Sequence, residues 1–261
     1  MTGVPVVAKV GGSVLEALPP PWWDDAAAVA RGRGLVLVHG WSAPLRAAQL
    51  AAGRQPLVLT SQHGRRSRFT DAEVLGDIRR TSAGLTALAA REMSARGATV
   101  AMVDAAAARI LTAEVRPQRW WVDGELRRLE NLVGPVRAVD AVALARWRRA
   151  VDALVVTPLA VAPGHPAVNT DADRAAAWIA TALGAPELVF VTDVPGVLID
   201  GAVRRRLRAG EADAAAEASG GMRKKLDAAT AALGRGLTRA VIGRAPIGEL
   251  LAGRAGTEVV A

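Results

Sequence analysis

Short apolar runs alternate along this chain with alanine-rich stretches long enough to be helices. That alternation confines it to an α/β fold with a mostly parallel sheet, because each parallel strand needs a crossover to reach the next. The expected strands are Val4–Val10, Leu35–Val38, Ala98–Val103, Ala153–Val156, Glu187–Val191, Arg239–Ile242 and Thr257–Val260. Between them fall helices at Trp23–Arg31, which is short, Ala43–Ala52, Asp71–Arg96 and Asp140–Ala150. Further helices run from Asn169-Thr170-Asp171-Ala172-Asp173 to about Leu183, from Ser219-Gly220-Gly221 to near Gly234-Arg235-Gly236, and over Ile247–Leu251. Thr70 or Asp71 caps the longest helix, with Glu73 in its first turn. Ile110–Val115 and Trp120–Leu129 read as antiparallel strands, the latter turning at Asp123-Gly124, and Val197–Arg205 as a small hairpin around Asp200-Gly201. The proline- and glycine-rich stretch from Pro158 to Pro166 reads as a joint between two lobes.

The 261 residues suffice for one large domain or two lobes sharing a sheet. There is no cysteine, which excludes disulfides, thiolate metal sites and cysteine nucleophiles. No signal-peptide pattern and no membrane-spanning apolar run is evident, so a cytoplasmic protein with no membrane partner is expected. The net charge of +8 fits either an acidic partner or a merely arginine-biased surface. The arginines are scattered and no basic run is interleaved with aromatics, so a nucleic-acid partner is not expected.

Within the first strand, Val6-Val7-Ala8-Lys9-Val10-Gly11-Gly12-Ser13 sets a lysine among apolar residues. Such burial is costly unless an anion compensates it. Of the 33 basic residues only Lys9, Lys224 and Lys225 are lysine, and all three lie close to a Gly-Gly pair. The loops Lys9–Ser13, His39–Ser42 and Thr192–Gly196 each follow a strand. In an open α/β sheet, ligands sit beyond the strands' carboxyl ends, so the three are candidates for one cleft. Gly221-Met222-Arg223-Lys224-Lys225 puts three cations in a first helical turn, where the helix dipole disfavours them unless an anion is bound. Asp171 or Thr170 is explained by capping, whereas the second carboxylate, Asp173, is not obviously so. His39 is read as structural rather than catalytic, and the three histidines lack metal-binding spacing. Neither a Walker-type phosphate loop nor a complete dinucleotide fingerprint is present.

Taken in order, Lys9-Val10-Gly11-Gly12, His39-Gly40-Trp41-Ser42, Arg68, Asn169-Thr170-Asp171-Ala172-Asp173, Thr192-Asp193-Val194-Pro195-Gly196 and Gly221-Met222-Arg223-Lys224-Lys225 resemble the motif set of the amino-acid kinase family. The resemblance spans essentially the whole chain. It points to the N-acetylglutamate kinase branch, and within it to kinases of aminoadipate or glutamate attached to an amino-group carrier protein. It implies a three-layer αβα sandwich with a mostly parallel central sheet, in two lobes. Residues 1–165 would bind the acidic substrate and 166–261 the ATP. It further implies phosphorylation of a side-chain carboxylate to an acyl phosphate, with Mg2+ bound through the nucleotide, a small acidic carrier protein as partner, and a homodimer. By resemblance, Lys9 and Lys225 contact the phosphates and Asp173 sits between the two ammonium groups. Gly11, Gly12 and Gly40 offer backbone amides. Arg68 takes a substrate carboxylate and Asn169 bonds the substrate, with Trp41 and Ser42 on the same side. Thr192, Asp193, Gly221 and Met222 lie with the nucleotide. Trp41 stands where the family usually has glycine; it resists positive φ and is expected to alter the loop or the pocket. A kinase of free N-acetylglutamate and a non-catalytic amino-acid or nucleotide sensor remain as alternatives.

Overall fold

In a computed structural model, which describes residues 3–64, 66–211 and 220–261, the expected alternation closes into one eight-stranded sheet. In spatial order its strands are Arg206–Arg208, Thr257–Val260, Arg239–Gly243, Glu187–Val191, Val6–Val10, Leu35–His39, Ala153–Thr157 and Val100–Asp104. Neighbours run parallel throughout, except that Thr257–Val260 lies antiparallel to Arg239–Gly243. The strand Val6–Val10 is central and fully buried, flanked by Glu187–Val191 on one side and Leu35–His39 on the other.

Side chains along a strand alternate between faces, and the two hydrophobic clusters follow that alternation. Val6, Ala8 and Val10 join Leu35 and Leu37 beneath Trp22, Trp23, Ile78, Leu85 and Ile247. Val7, Val36, Val38, Leu154 and Val156 join the opposite cluster, which holds Ala176, Ile179, Leu226 and Ala229. Helices therefore cover both faces, as the three-layer expectation requires. Lys9 shares its face with Val7, the face packed by the helices Ala172–Ala182 and Gly220–Leu233.

Asp71 caps Ala72–Ser94 by accepting from the Val74 amide at 2.8 Å. The Asp123-Gly124 and Asp200-Gly201 turns form as expected, with all four residues at positive φ. Other details differ. The helix expected over Trp23–Arg31 extends over Pro20–Arg33, because prolines fit the first helical turn, where no amide donor is needed. Leu111–Ala113 does not pair with the Trp120 hairpin; it joins Val136–Val139, Leu159–Ala162 and His165–Asn169 in a separate four-stranded sheet. The Pro158–Pro166 stretch, read as a joint between lobes, is itself built of paired strands. It supplies most of the hairpin Leu159–Ala162/His165–Asn169, turning near Gly164 at φ +75°. A third sheet contains Arg66–Arg68, Val58–Ser61, Arg119–Val122 and Glu125–Arg128. Ser219, expected to open a helix, and Arg65 lie outside the described residues.

Candidate active site

The carboxyl ends of the three central strands bring the three glycine-, histidine- and aspartate-bearing loops together. Val10 is in register with both His39 and Val191, so the chain leaves all three strands at one level. The loops are tied by backbone: the Gly11 amide donates to Val191 O at 3.1 Å and the Gly40 amide to Val10 O at 2.8 Å. The expected offer of free amides from Gly11 and Gly40 is thus not what these hydrogens do; they lock the loops to one another. Gly12 is required for contact itself, since a Cβ there would lie 2.5 Å from Gly40 O. The Gly12 and Ser13 amides open a short helical turn and have no acceptor within it.

Above this floor stands a buried charge cluster. Lys9 Nζ lies 2.9 Å from Asp173 Oδ1, and Lys225 Nζ lies 3.4 Å from Asp173 Oδ2. The three residues are 6%, 8% and 6% exposed for Lys9, Lys225 and Asp173. Asp171 caps its helix, accepting from the Asp173 and Arg174 amides at 3.0 and 3.1 Å, and also lies 3.6 Å from Lys224 Nζ. Capping is therefore complete without Asp173, which is free to bridge the lysines. Burial pushes the Asp173 carboxyl upward, but the charges of Lys9 and Lys225 outweigh it and hold the group below the usual range. Burial lowers the Lys225 pKa, as does the charge of Lys9, and Asp173 offsets only part of this. One carboxylate thus serves two buried ammonium groups, leaving an excess of positive charge.

Two cavities meet at this cluster. The larger, about 710 Å³, is lined by Lys9, Gly40, Trp41, Ser42, Arg68 and Asn169 among others. The smaller, about 380 Å³, is lined by Thr192, Asp193, Met222 and Lys225 among others. Gly11, Ser13 and Gly221 border both, and Gly12 borders the larger. Each residue named for the site lines one cavity or both, but Lys9 and Gly12, expected with the nucleotide, line the larger cavity and not the smaller. The larger cavity is cationic. Its two carboxylates, Asp171 and Asp173, already face lysines, whereas Arg46, Arg66 and Arg68 form no ion pair among the described residues. Arg68 donates to Gln49 Oε1 at 2.8 Å and to Ser42 O at 3.3 Å. Burial, and then Arg46, lower the Arg68 pKa, as expected of a guanidinium without an anionic partner. Asn169 donates to Thr70 Oγ1 at 3.3 Å.

Two features were not anticipated. Gln49 is buried and donates to Asp77 at 3.3 Å while accepting from Arg68, so it aims the guanidinium. Arg46 and Arg66 join Arg68 at the larger cavity; Arg46 lies one helical turn beyond Ser42, a spacing that could have placed it there. Trp41 takes φ −139°, so its backbone needs nothing that only glycine provides. Its ring packs into the core and forms part of the cavity wall, so the substitution reshapes the pocket rather than straining the loop. His39 is structural, as read: it is buried, its Nε2 lies 2.8 Å from Thr86 Oγ1, and its pKa is lowered to about 4, chiefly by burial.

Among the described residues no three His, Cys, Asp or Glu side chains converge as a metal site. The lysine cluster and the first-turn amides of Gly12 and Ser13 fit a polyphosphate, and a cation carried by such a ligand needs no further protein carboxylates.

Known proteins resemble this chain along most of its length. The sequence profile of the amino acid kinase family matches residues 5–244. A putative LysW-aminoadipate/LysW-glutamate kinase of Aeropyrum pernix is 34% identical, with 98% of this chain and 97% of that protein covered. The LysW-aminoadipate/LysW-glutamate kinase of Sulfurisphaera tokodaii is 30% identical over 91% of this chain and 92% of its own. N-acetylglutamate synthase from Neisseria gonorrhoeae superposes with a TM-score of 0.79 at 27% identity, covering all of this chain, which spans only 60% of that longer protein. Carbamate kinase from Giardia lamblia shares the fold at a TM-score of 0.67 and 15% identity, with 99% of each chain covered.

Proposed function

This chain belongs to the amino acid kinase family, and from that we propose that it phosphorylates the side-chain carboxylate of glutamate or 2-aminoadipate carried on a small acidic amino-group carrier protein. The observation that carries the proposal is the Lys9–Asp173–Lys225 cluster standing where the two cavities meet. The relatives named as LysW-aminoadipate/LysW-glutamate kinases, which align along nearly the whole chain, support the choice of substrate.

The reaction joins a carboxylate oxygen to the terminal phosphorus of ATP as the bond to the leaving diphosphate breaks, yielding an acyl phosphate and ADP. The nucleophile is already ionised, so no general base is required, and catalysis reduces to positioning and charge neutralisation. Lys9 and Lys225 neutralise the transferring group from either side, and Asp173 holds them apart and aligned. Arg68, aimed by Gln49, takes a second carboxylate of the substrate, with Asn169 beside it. Thr192, Asp193, Gly221 and Met222 border the nucleotide's compartment. Mg2+ arriving with the nucleotide shields its phosphates. The N-terminal part, 1–165, supplies most of the acceptor side and 166–261 most of the nucleotide side, in a cytoplasmic enzyme. Pairing of two copies is supported by the outer strand Val100–Asp104, which has a neighbour on one side only and exposes Met102.

With ATP, Mg2+ and hydroxylamine, carrier-bound glutamate or aminoadipate is expected to accumulate as the hydroxamate. Efficient turnover of free N-acetylglutamate with no hydroxamate on the carrier would refute the carrier assignment.

A further inference from the structure

The sheet containing the Asp123-Gly124 hairpin has one face that continues the wall of the larger cavity. In its register Val58 lies opposite Arg68, Thr60 opposite both Arg66 and Trp121, Trp121 opposite Leu126, and Arg119 opposite Arg128. Residues directly opposite one another share a face, so these side chains form one surface. Val58, Arg66 and Arg68, at one end of it, line the cavity. Moving away from the cavity, the apolar members are Val58, Trp121 and Leu126, which are 45%, 47% and 38% exposed. Arg66, Arg119 and Arg128 stand exposed around them. None of these three forms an ion pair among the described residues, and the paired residues of this face include no carboxylate. Glu125 is on the opposite face, paired with Arg127 at 2.9 Å, and Asp123 sits in the turn at the hairpin's tip. The opposite face also holds the buried Leu59, Ser61 and Trp120, which anchor the sheet.

An exposed tryptophan flanked by aliphatic side chains and ringed by unpaired arginines is a poor solvent surface and a good protein-binding one, since Trp and Arg dominate interface energetics. We propose that this face docks the acidic carrier protein. Its apolar strip seats the carrier's folded body, its arginines complement the carrier's negative charge, and its continuity with the cavity lets the carrier-borne carboxylate enter past Arg66 to Arg68. The proposal rests on the carrier-dependent reading above and places the docking surface on residues outside the catalytic cluster.

The test compares wild type with Trp121→Ala, Leu126→Ser and the double variant Arg119→Glu/Arg128→Glu. Two measurements are made on each: the Kd for carrier protein bearing glutamate, by titration calorimetry, and steady-state phosphorylation of carrier-borne and of free N-acetylated substrate. We expect the carrier Kd and KM to rise about tenfold for Trp121→Ala, in line with loss of an interface anchor, and further for the charge reversal. Turnover of the free N-acetylated substrate should stay within about twofold, which also shows that the variants are folded. Arg119→Lys/Arg128→Lys should retain most of the affinity, because the complementarity is largely one of charge. Unchanged carrier Kd and KM in all the variants would overturn the docking surface while leaving the carrier reading intact. Failure of the wild type itself to bind or phosphorylate the carrier-borne substrate, alongside turnover of free N-acetylglutamate, would overturn both.

Discussion

At the residue scale the proposed chemistry turns on a single carboxylate, Asp173, which bridges Lys9 and Lys225. Removing one partner of a buried ion cluster leaves charge uncompensated, typically at a cost of about 3–5 kcal/mol. Asp173→Asn should therefore lower the melting temperature, with the two buried ammonium groups repelling each other, and should cut turnover at least a hundredfold, about the loss from removing one preorganised electrostatic group. Thermal unfolding and steady-state kinetics on the same variant check both. Lys9→Ala and Lys225→Ala should each lose activity on the same scale. His39 gives a pH signature. Its pKa falls from 6.5 to about 4 on folding, so near pH 5 the unfolded chain is protonated there and the folded protein is not. Its contribution is full above about pH 6.5 and falls away toward pH 4, at up to about 1.4 kcal/mol per pH unit. Denaturant unfolding across that range should show the slope in wild type and a flatter profile in His39→Gln. Lys9 and Asp173 were legible from sequence because a cation in a buried strand and a carboxylate left over from capping both demand a partner. Gln49 was not: a polar residue inside an amphipathic helix carries no mark of the guanidinium it will meet.

Short elements make the site precise. The Gly11–Ser13 turn and the Gly40–Ser42 helix start approach so closely that Gly12→Ala would place a methyl against Gly40 O, at 2.5 Å from immobile backbone. That variant should bind nucleotide weakly and turn over poorly, which equilibrium binding of a nucleotide analogue reads directly. In the neighbouring helices, Gln49→Leu should leave Arg68 without its aiming contact and raise the KM for the acidic substrate about tenfold with little change in kcat, the pattern of lost ground-state binding. Buried parallel strands and long alanine-rich helices could be read from apolar runs alone, and their ends were found to within a few residues. The small outer sheets could be read only in part. The hairpin at Asp123-Gly124 was marked by its turn, whereas Arg66–Arg68 is short and polar, and the prolines around Leu159–Ala162 hid a pair of strands. Their strand character comes from neighbours distant in sequence, which periodicity does not register.

Viewed as a whole, the molecule is a three-layer sheet and helix sandwich in which the carboxyl ends of the central strands meet the Lys9–Asp173–Lys225 cluster and a cavity lined by Arg46, Arg66 and Arg68. The net charge of +8 fits an acidic macromolecular partner. Association with such a partner should slow steeply as salt rises, whereas phosphorylation of a small free substrate should respond far less, a contrast that stopped-flow mixing at several ionic strengths can measure. The central claim is that the lysine cluster drives attack of a side-chain carboxylate on phosphorus. It is tested most directly by carrying heavy oxygen in that carboxylate, trapping the product with hydroxylamine and weighing the released phosphate. A heavy oxygen atom in the phosphate made by wild type, and none above background from Lys9→Ala or Lys225→Ala, is the predicted result. Unlabelled phosphate from an active wild type, or labelled phosphate formed at the wild-type rate by both lysine variants, would contradict it.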